Sequence, residues 1–254
     1  MLISTQAIVL HTSPYSETSM ISNIFTRELG LKSYISKGIR NTKGGGKMGL
    51  LQPMNSLNMV VYNTPRHNIN HIKEMQLQQP SPLMIHPTYS SLVFFMNEVL
   101  YKALKADEPN QPLFDYVNST LGHLQQNNRQ DLPYPHSTTM LPLSFLIHTA
   151  KHLGIEPLDN YSTHEPLFNI AEGRFQAPPS QTYLALHPQS RFFSANQSLA
   201  LHELLTAIHH HTALPLLKLE QRTTLIDLLI EYYHTHLPSF SHFQSHHILH
   251  DVLQ

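Results

Sequence analysis

Between Glu28 and Glu74 the chain has no acidic residue, yet it carries Lys32, Lys37, Arg40, Lys43, Lys47, Arg66 and Lys73. An interval of one sign attracts polyanions through the local field it creates. Tyr15, Phe25, Tyr34 and Tyr62 interleave with these cations. Single-stranded nucleic acid needs both kinds of group: cations that follow the backbone, and aromatic faces on which bases stack, worth about 1–3 kcal/mol per base. Strand alternation puts Leu31, Ser33, Ile35 and Lys37 on one face and Lys32, Tyr34 and Ser36 on the other. Lys32 and Tyr34 are therefore expected to share a surface platform, the ordinary alternative being solvated lysines around core aromatics.

Gly44-Gly45-Gly46-Lys47 invites comparison with a nucleotide phosphate loop, which needs G-x-x-x-x-G-K followed by a hydroxyl residue that reaches magnesium. Position 41 is Asn and position 48 is Met, so the pattern fails and ATP hydrolysis is not expected. The glycines read instead as a flexible hinge that lets Arg40, Lys43 and Lys47 follow an irregular backbone. Twenty histidines include the i, i+4 pairs His148 with His152, His242 with His246, and His246 with His250, a spacing that helical zinc sites share. No carboxylate completes a zincin pattern and no G-x-S-x-G nucleophile is present. Neither a metal centre nor a catalytic residue is assigned, and no cofactor is expected.

The charge is divided along the chain. Residues 1–79 hold eight Lys and Arg against three Asp and Glu, and residues 80–254 hold eight against fourteen. One half is built to meet a polyanion and the other to do something else. With 254 residues, 41% of them apolar, there is material for one large domain or two ordinary ones. The absence of cysteine excludes disulfides and thiolate zinc sites. No segment has the form of a signal peptide or reaches the roughly 20 apolar residues that span a bilayer, so a soluble, cytoplasmic protein is expected.

Period-two patterning predicts strands from Ile3 to His11, Met20 to Thr26, Leu31 to Lys37, Asn55 to Tyr62 and Ile69 to Gln78. Five short strands with a basic loop suit a Greek-key barrel of the oligonucleotide-binding (OB) type. At Gln79-Pro80-Ser81-Pro82 the period changes, and Leu92, Phe95, Met96, Val99, Leu100 and Ala103 make a helical stripe. Further helices are predicted from Leu113 to Gln126, Thr138 to His152, Ser198 to His210, Leu219 to His236 and Ser245 to Leu253. Residues 155–195 read as an irregular insert with a small hairpin around Glu172-Gly173. The expected fold is α+β: an OB-fold domain over residues 1–79, then an all-α domain over 80–254 with that insert.

The order of short motifs carries a family resemblance. Ala7-Ile8-Val9-Leu10, Tyr15-Ser16-Glu17 with Ser19, Phe25-Thr26-Arg27-Glu28-Leu29-Gly30, Ile35-Ser36-Lys37-Gly38-Ile39-Arg40 and Leu51-Gln52-Pro53 resemble, in order and nearly without gaps, the N-terminal domain of the RecO family of DNA repair proteins. Leu153-Gly154, Glu172-Gly173 with Phe175, and Ser245-His246-His247-Ile248-Leu249 look like its helical domain, especially in Bacteroidetes-type members. The resemblance implies a non-catalytic recombination mediator. Such a protein binds single- and double-stranded DNA, anneals complementary strands, and works with RecR and single-strand-binding protein to load RecA. It carries the family's DNA-contacting segment onto Lys37, Arg40, Lys43 and Lys47, with Lys32 and Tyr34 on the preceding strand. Many members have a four-cysteine zinc module in the insert; this chain has none of those cysteines, so its insert must be held by packing and by the hairpin.

Four or five cations on phosphate would give a log–log salt slope near −3 for single strands, from about 0.7 per phosphate neutralised. The competing readings are a protein-interaction scaffold whose basic loop binds an acidic protein tail, and a histidine-liganded metallohydrolase. No membrane contact and no small-molecule substrate are expected.

Overall fold

The structure is a computed structural model that describes residues 1–39, 45–64, 68–78, 87–128, 136–188 and 190–252. Two compact units divide it, Met1–Leu132 and Pro133–Gln254.

In the first unit five strands, β1 (Leu2–Pro14), β2 (Met20–Thr26), β3 (Gly30–Ser36), β4 (Ser56–Tyr62) and β5 (Ile69–Leu77), close into a barrel of order β1-β2-β3-β5-β4. This is the five-stranded OB topology that the patterning predicts. β1 closes it by serving two neighbours: Leu2 to Ile8 pair antiparallel with β4, and Ala7 to Pro14 with β2. An irregularity between Val9 and His11 bends the strand between those tasks. Ala7, Val9, Ile24, Tyr34, Leu57, Met59 and Val61 fill the interior, while Asn58 and Tyr62 alternate outward.

Between β3 and β4, Gly45–Met48 forms a short helix, α1, continued by a 3-10 turn over Gly49–Leu51. The free glycine hinge expected there is thus, from Gly45 onward, a helical turn. Glycine's low helix propensity is overridden because the segment ends in Leu51, which is buried in the barrel core.

Helices α2 (Pro87–Ala103) and α3 (Gln111–Asn128) follow. The expected apolar stripe of α2 is buried throughout, as are Leu113, Phe114, Val117, Leu121 and Leu124 of α3. They cover the outer face of β2, β3 and the second half of β1. Phe25 meets Phe114 edge-on at 5.4 Å, His11 lies 5.5 Å from Tyr101, and Asn23 donates to the Tyr101 hydroxyl. The Asp107 N–H donates to the Leu31 carbonyl at 3.0 Å. At Gly30, where φ is +70°, a Cβ would collide with the Glu108 carbonyl, so glycine is required by both conformation and contact. By packing, α2 and α3 therefore go with the barrel; the composition break at Gln79 marks where strands give way to helices, not where the compact units divide.

The second unit contains α4 (His136–His152), a hairpin of β6 (Leu167–Asn169) and β7 (Arg174–Gln176), α5 (Gln181–Leu186), α6 (Ala195–His209), α7 (Leu219–His236) and α8 (Ser245–Val252). Leu143, Leu146, Leu201, Leu205, Leu225, Leu229 and Tyr233 form its buried centre, where the Tyr233 hydroxyl donates to the Leu146 carbonyl at 2.6 Å. The hairpin is where the sequence places it. The insert is held by the Asn160 amide, which brackets the Phe175 backbone with two 2.9 Å hydrogen bonds. The Leu158 N–H donates to the Gly173 carbonyl at 2.8 Å, and Phe168 packs against Phe175 and Phe193 at 5.2 and 5.1 Å. Not expected was α5, a short helix inside the insert capped by Ser180. Among the described residues no helix is long and apolar enough to cross a membrane.

Candidate nucleic-acid interface

With β2, β3 and the second half of β1 covered by helices on their outer side, the barrel's open surface is the outer face of the first half of β1 and of β4 and β5. A groove of about 600 Å³ runs over it. Its floor is the outward set on three paired strands: Ser4 opposite Val60, Val60 opposite Glu74, and Asn58 opposite Gln76. Its basic wall is Lys37, Lys47 and Lys73.

Each lysine arrives by a different local device. Lys37 follows the last residue of β3, and Gly38, at φ +69°, turns the chain there. Lys47 is exposed in the last turn of α1. Lys73 sits where the β4–β5 register shifts, between the pairs Val60 with Glu74 and Val61 with Ile72. That irregularity leaves two consecutive residues, Lys73 and Glu74, on the solvent side. Glu74 lines the same groove, its carboxylate 3.5 Å from the Lys73 ammonium. The wall therefore carries three cations against one carboxylate among the described residues, with Ser4, Ser36, Asn58 and Gln76 as hydrogen-bonding groups. Cations beside neutral donors suit a phosphodiester backbone, which asks for charge neutralisation without a base-specific pattern.

The residues assigned from sequence separate into three groups. Lys37 and Lys47 come together on the groove. Arg40 and Lys43 lie outside the described residues. Lys32 and Tyr34 do share a face, as alternation predicts, but that face points inward, and this corrects the expected platform. Tyr34 is 0% exposed within the barrel core, where burial pushes its phenol up to about 12. Lys32, opposite core residue Ile24, sends its ammonium to the Asp107 carboxylate. A buried ring cannot stack a base, and Lys32, largely buried as well as paired, has less to offer a phosphate than Lys73, whose pair with Glu74 is open to solvent. Lys73 was not assigned, although Ile72-Lys73-Glu74-Met75, with two polar residues between two apolar ones, is the sequence mark of a strand irregularity.

Among the described residues no three His, Asp or Glu side chains converge as a metal ion would require. His242, at φ +53°, precedes α8 and so shares no helix face with His246. Burial lowers His148 and His152 below the usual imidazole range. Two other histidines fasten the insert to α6: His202 Nδ1 is 2.7 Å from Asp159 Oδ1, and His209 Nε2 is 2.8 Å from Glu156 Oε1.

Comparison with known proteins bears on both units. The family model "Recombination protein O N terminal" matches residues 1–81, and "Recombination protein O C terminal" matches residues 87–243. The DNA repair protein RecO of Phocaeicola vulgatus is 29% identical over 243 residues, 94% of each chain. That of Flavobacterium psychrophilum is 28% identical over 254 residues, 99% of each chain, and that of Porphyromonas gingivalis ATCC 33277 is 29% identical over 247 residues, 94% of each.

Proposed function

Because the chain belongs to the recombination protein O family of DNA repair proteins, we propose that it is a non-catalytic mediator that binds single- and double-stranded DNA in the cytoplasm and anneals complementary strands. The observation that carries this is the groove on β1, β4 and β5, where Lys37, Lys47 and Lys73 line one polar trough on an OB barrel. Cations there neutralise phosphates without reading bases, so the same surface holds strands of any sequence. Holding two such strands with their repulsion reduced is what annealing needs. RecR and single-strand-binding protein are the protein partners that the family role implies, with RecA loading as the result.

Strand annealing and gel shift test the reading, with the wild type beside a Lys37→Glu, Lys73→Glu double variant at two salt concentrations. Loss of annealing and of DNA affinity in the variant, with wild-type affinity falling as salt rises, is expected. Affinity indifferent to both salt and charge reversal overturns it. An acidic peptide that binds these lysines while DNA does not makes the protein an interaction scaffold instead.

A further inference from the structure

Base stacking needs an exposed ring near the phosphate-binding wall. Phe25 and Tyr34 are buried, and Tyr15 lies in the turn after β1, outside the three strands that make the groove. Tyr62 is different. It ends β4, is 45% exposed, and continues the outward set of Asn58 and Val60 that floors the groove. Its position is fixed on both sides by strand pairing, with Leu2 of β1 across one ladder and His71 of β5 across the other. Leu2 and His71 are also exposed, so the three make a continuous row: an aliphatic side chain, a phenol and an imidazole. That row lies two residues, about 7 Å, beyond the row of Ser4, Val60 and Glu74 along β1 and β4, and three residues along β5, where the irregularity intervenes.

A row of this kind at a polar groove is a shelf for a flat, partly apolar group whose charged end lies in the groove. A nucleotide in a single strand is such a group. In a duplex the base faces are stacked on one another and are not available to a side chain, whereas an unpaired base can turn its face to the protein. We infer that the Leu2, Tyr62 and His71 row is a base-stacking shelf, with Tyr62 as its central ring, and that it makes the groove favour single strands over duplex. The inference rests on the reading of the groove as a DNA surface and adds the aromatic element that the lysines lack.

The test compares wild type, Tyr62→Ala and Tyr62→Phe for binding to an oligo(dT) strand, to an abasic strand of the same length and to a duplex. Tyr62→Ala is expected to weaken oligo(dT) binding about 5- to 150-fold while leaving abasic-strand and duplex affinities and the salt slope unchanged. Tyr62→Phe, which keeps a ring, is expected to bind oligo(dT) as wild type does; this also shows that the site tolerates replacement. Unchanged oligo(dT) affinity in Tyr62→Ala, or an equal loss for the abasic strand, overturns the shelf. Either result leaves the groove reading standing if Lys37→Glu with Lys73→Glu still abolishes binding. Wild-type protein that binds none of the three ligands overturns the groove reading and the shelf together.

Discussion

The Arg27 guanidinium forks onto the Asp115 carboxylate, Nε to Oδ1 at 2.7 Å and Nη2 to Oδ2 at 2.9 Å. This pair fastens the turn after β2 to α3 and so helps keep the outer face of the first strands covered. The hydrogen bond from Arg27 holds the Asp115 carboxyl below the usual carboxylate range. A depressed carboxyl stabilises the fold above its unfolded value, near 4, and that contribution is lost as pH falls through the folded value. Asp115→Asn should therefore lower the urea midpoint at pH 7 slightly, since the pair is exposed. As pH falls below the lowered folded value the two midpoints should converge; an unchanged difference there would show that the pair's charge is not what the substitution removed.

The three groove lysines predict a countable salt effect. At about 0.7 per phosphate, Lys37, Lys47 and Lys73 together give a log–log slope near −2, and each Lys→Glu removes about one such increment. One further contact from Arg40 or Lys43 brings the slope to about −2.8 and both to about −3.5, the range around the −3 expected from sequence. Lys32→Gln should leave the slope unchanged, because its ammonium is engaged by Asp107. Titrations at four salt concentrations decide between a groove and a platform on β3.

Gly30→Ala should be costly. The left-handed backbone there costs a side-chain-bearing residue about 1–3 kcal/mol, and the clash with the Glu108 carbonyl adds to it. Thermal unfolding should show a clearly lowered Tm, whereas Gly38→Ala, with open space around its Cβ position but the same backbone sign, should lose only the conformational part.

Tyr34 and Tyr232 give the fold an alkaline limit. Burial pushes each phenol from 10.0 up to about 12. A raised folded value means stability fully present below about pH 10 and lost as pH climbs through about 12. Urea midpoints followed by circular dichroism should fall across that window. Tyr34→Phe should fall less steeply while binding DNA as wild type does at neutral pH; weakened binding would return Tyr34 to the interface.

Much of the barrel was legible because alternation is local: Leu57, Met59 and Val61 against Asn58 and Tyr62 define a strand without any partner. The candidate site was legible only in part. Alternation says which residues share a face but not which face is inside, so Lys32 and Tyr34 read as a surface. What turns them inward is the closure of the barrel, and what occupies Lys32 is Asp107, far along the chain. The glycine cluster read as a hinge because propensity is local, while the anchoring of Leu51 is not. Lys73 was hidden by a register shift that exists only between β4 and β5. His242 and His246 fit a helical spacing, but the helix begins at Ser245.

The double duty of β1 has a consequence for how the protein is made. Its first half can pair only after β4 has been synthesised, and β5 must then join β3 in parallel, partners far apart along the chain. Such non-local pairing is slow compared with hairpin and helix formation. Ser4, Asn58 and Gln76 come from the three strands that meet at this closure. The groove is thus among the last features the barrel acquires, and a barrel that has not yet closed carries the positive charge without the shape.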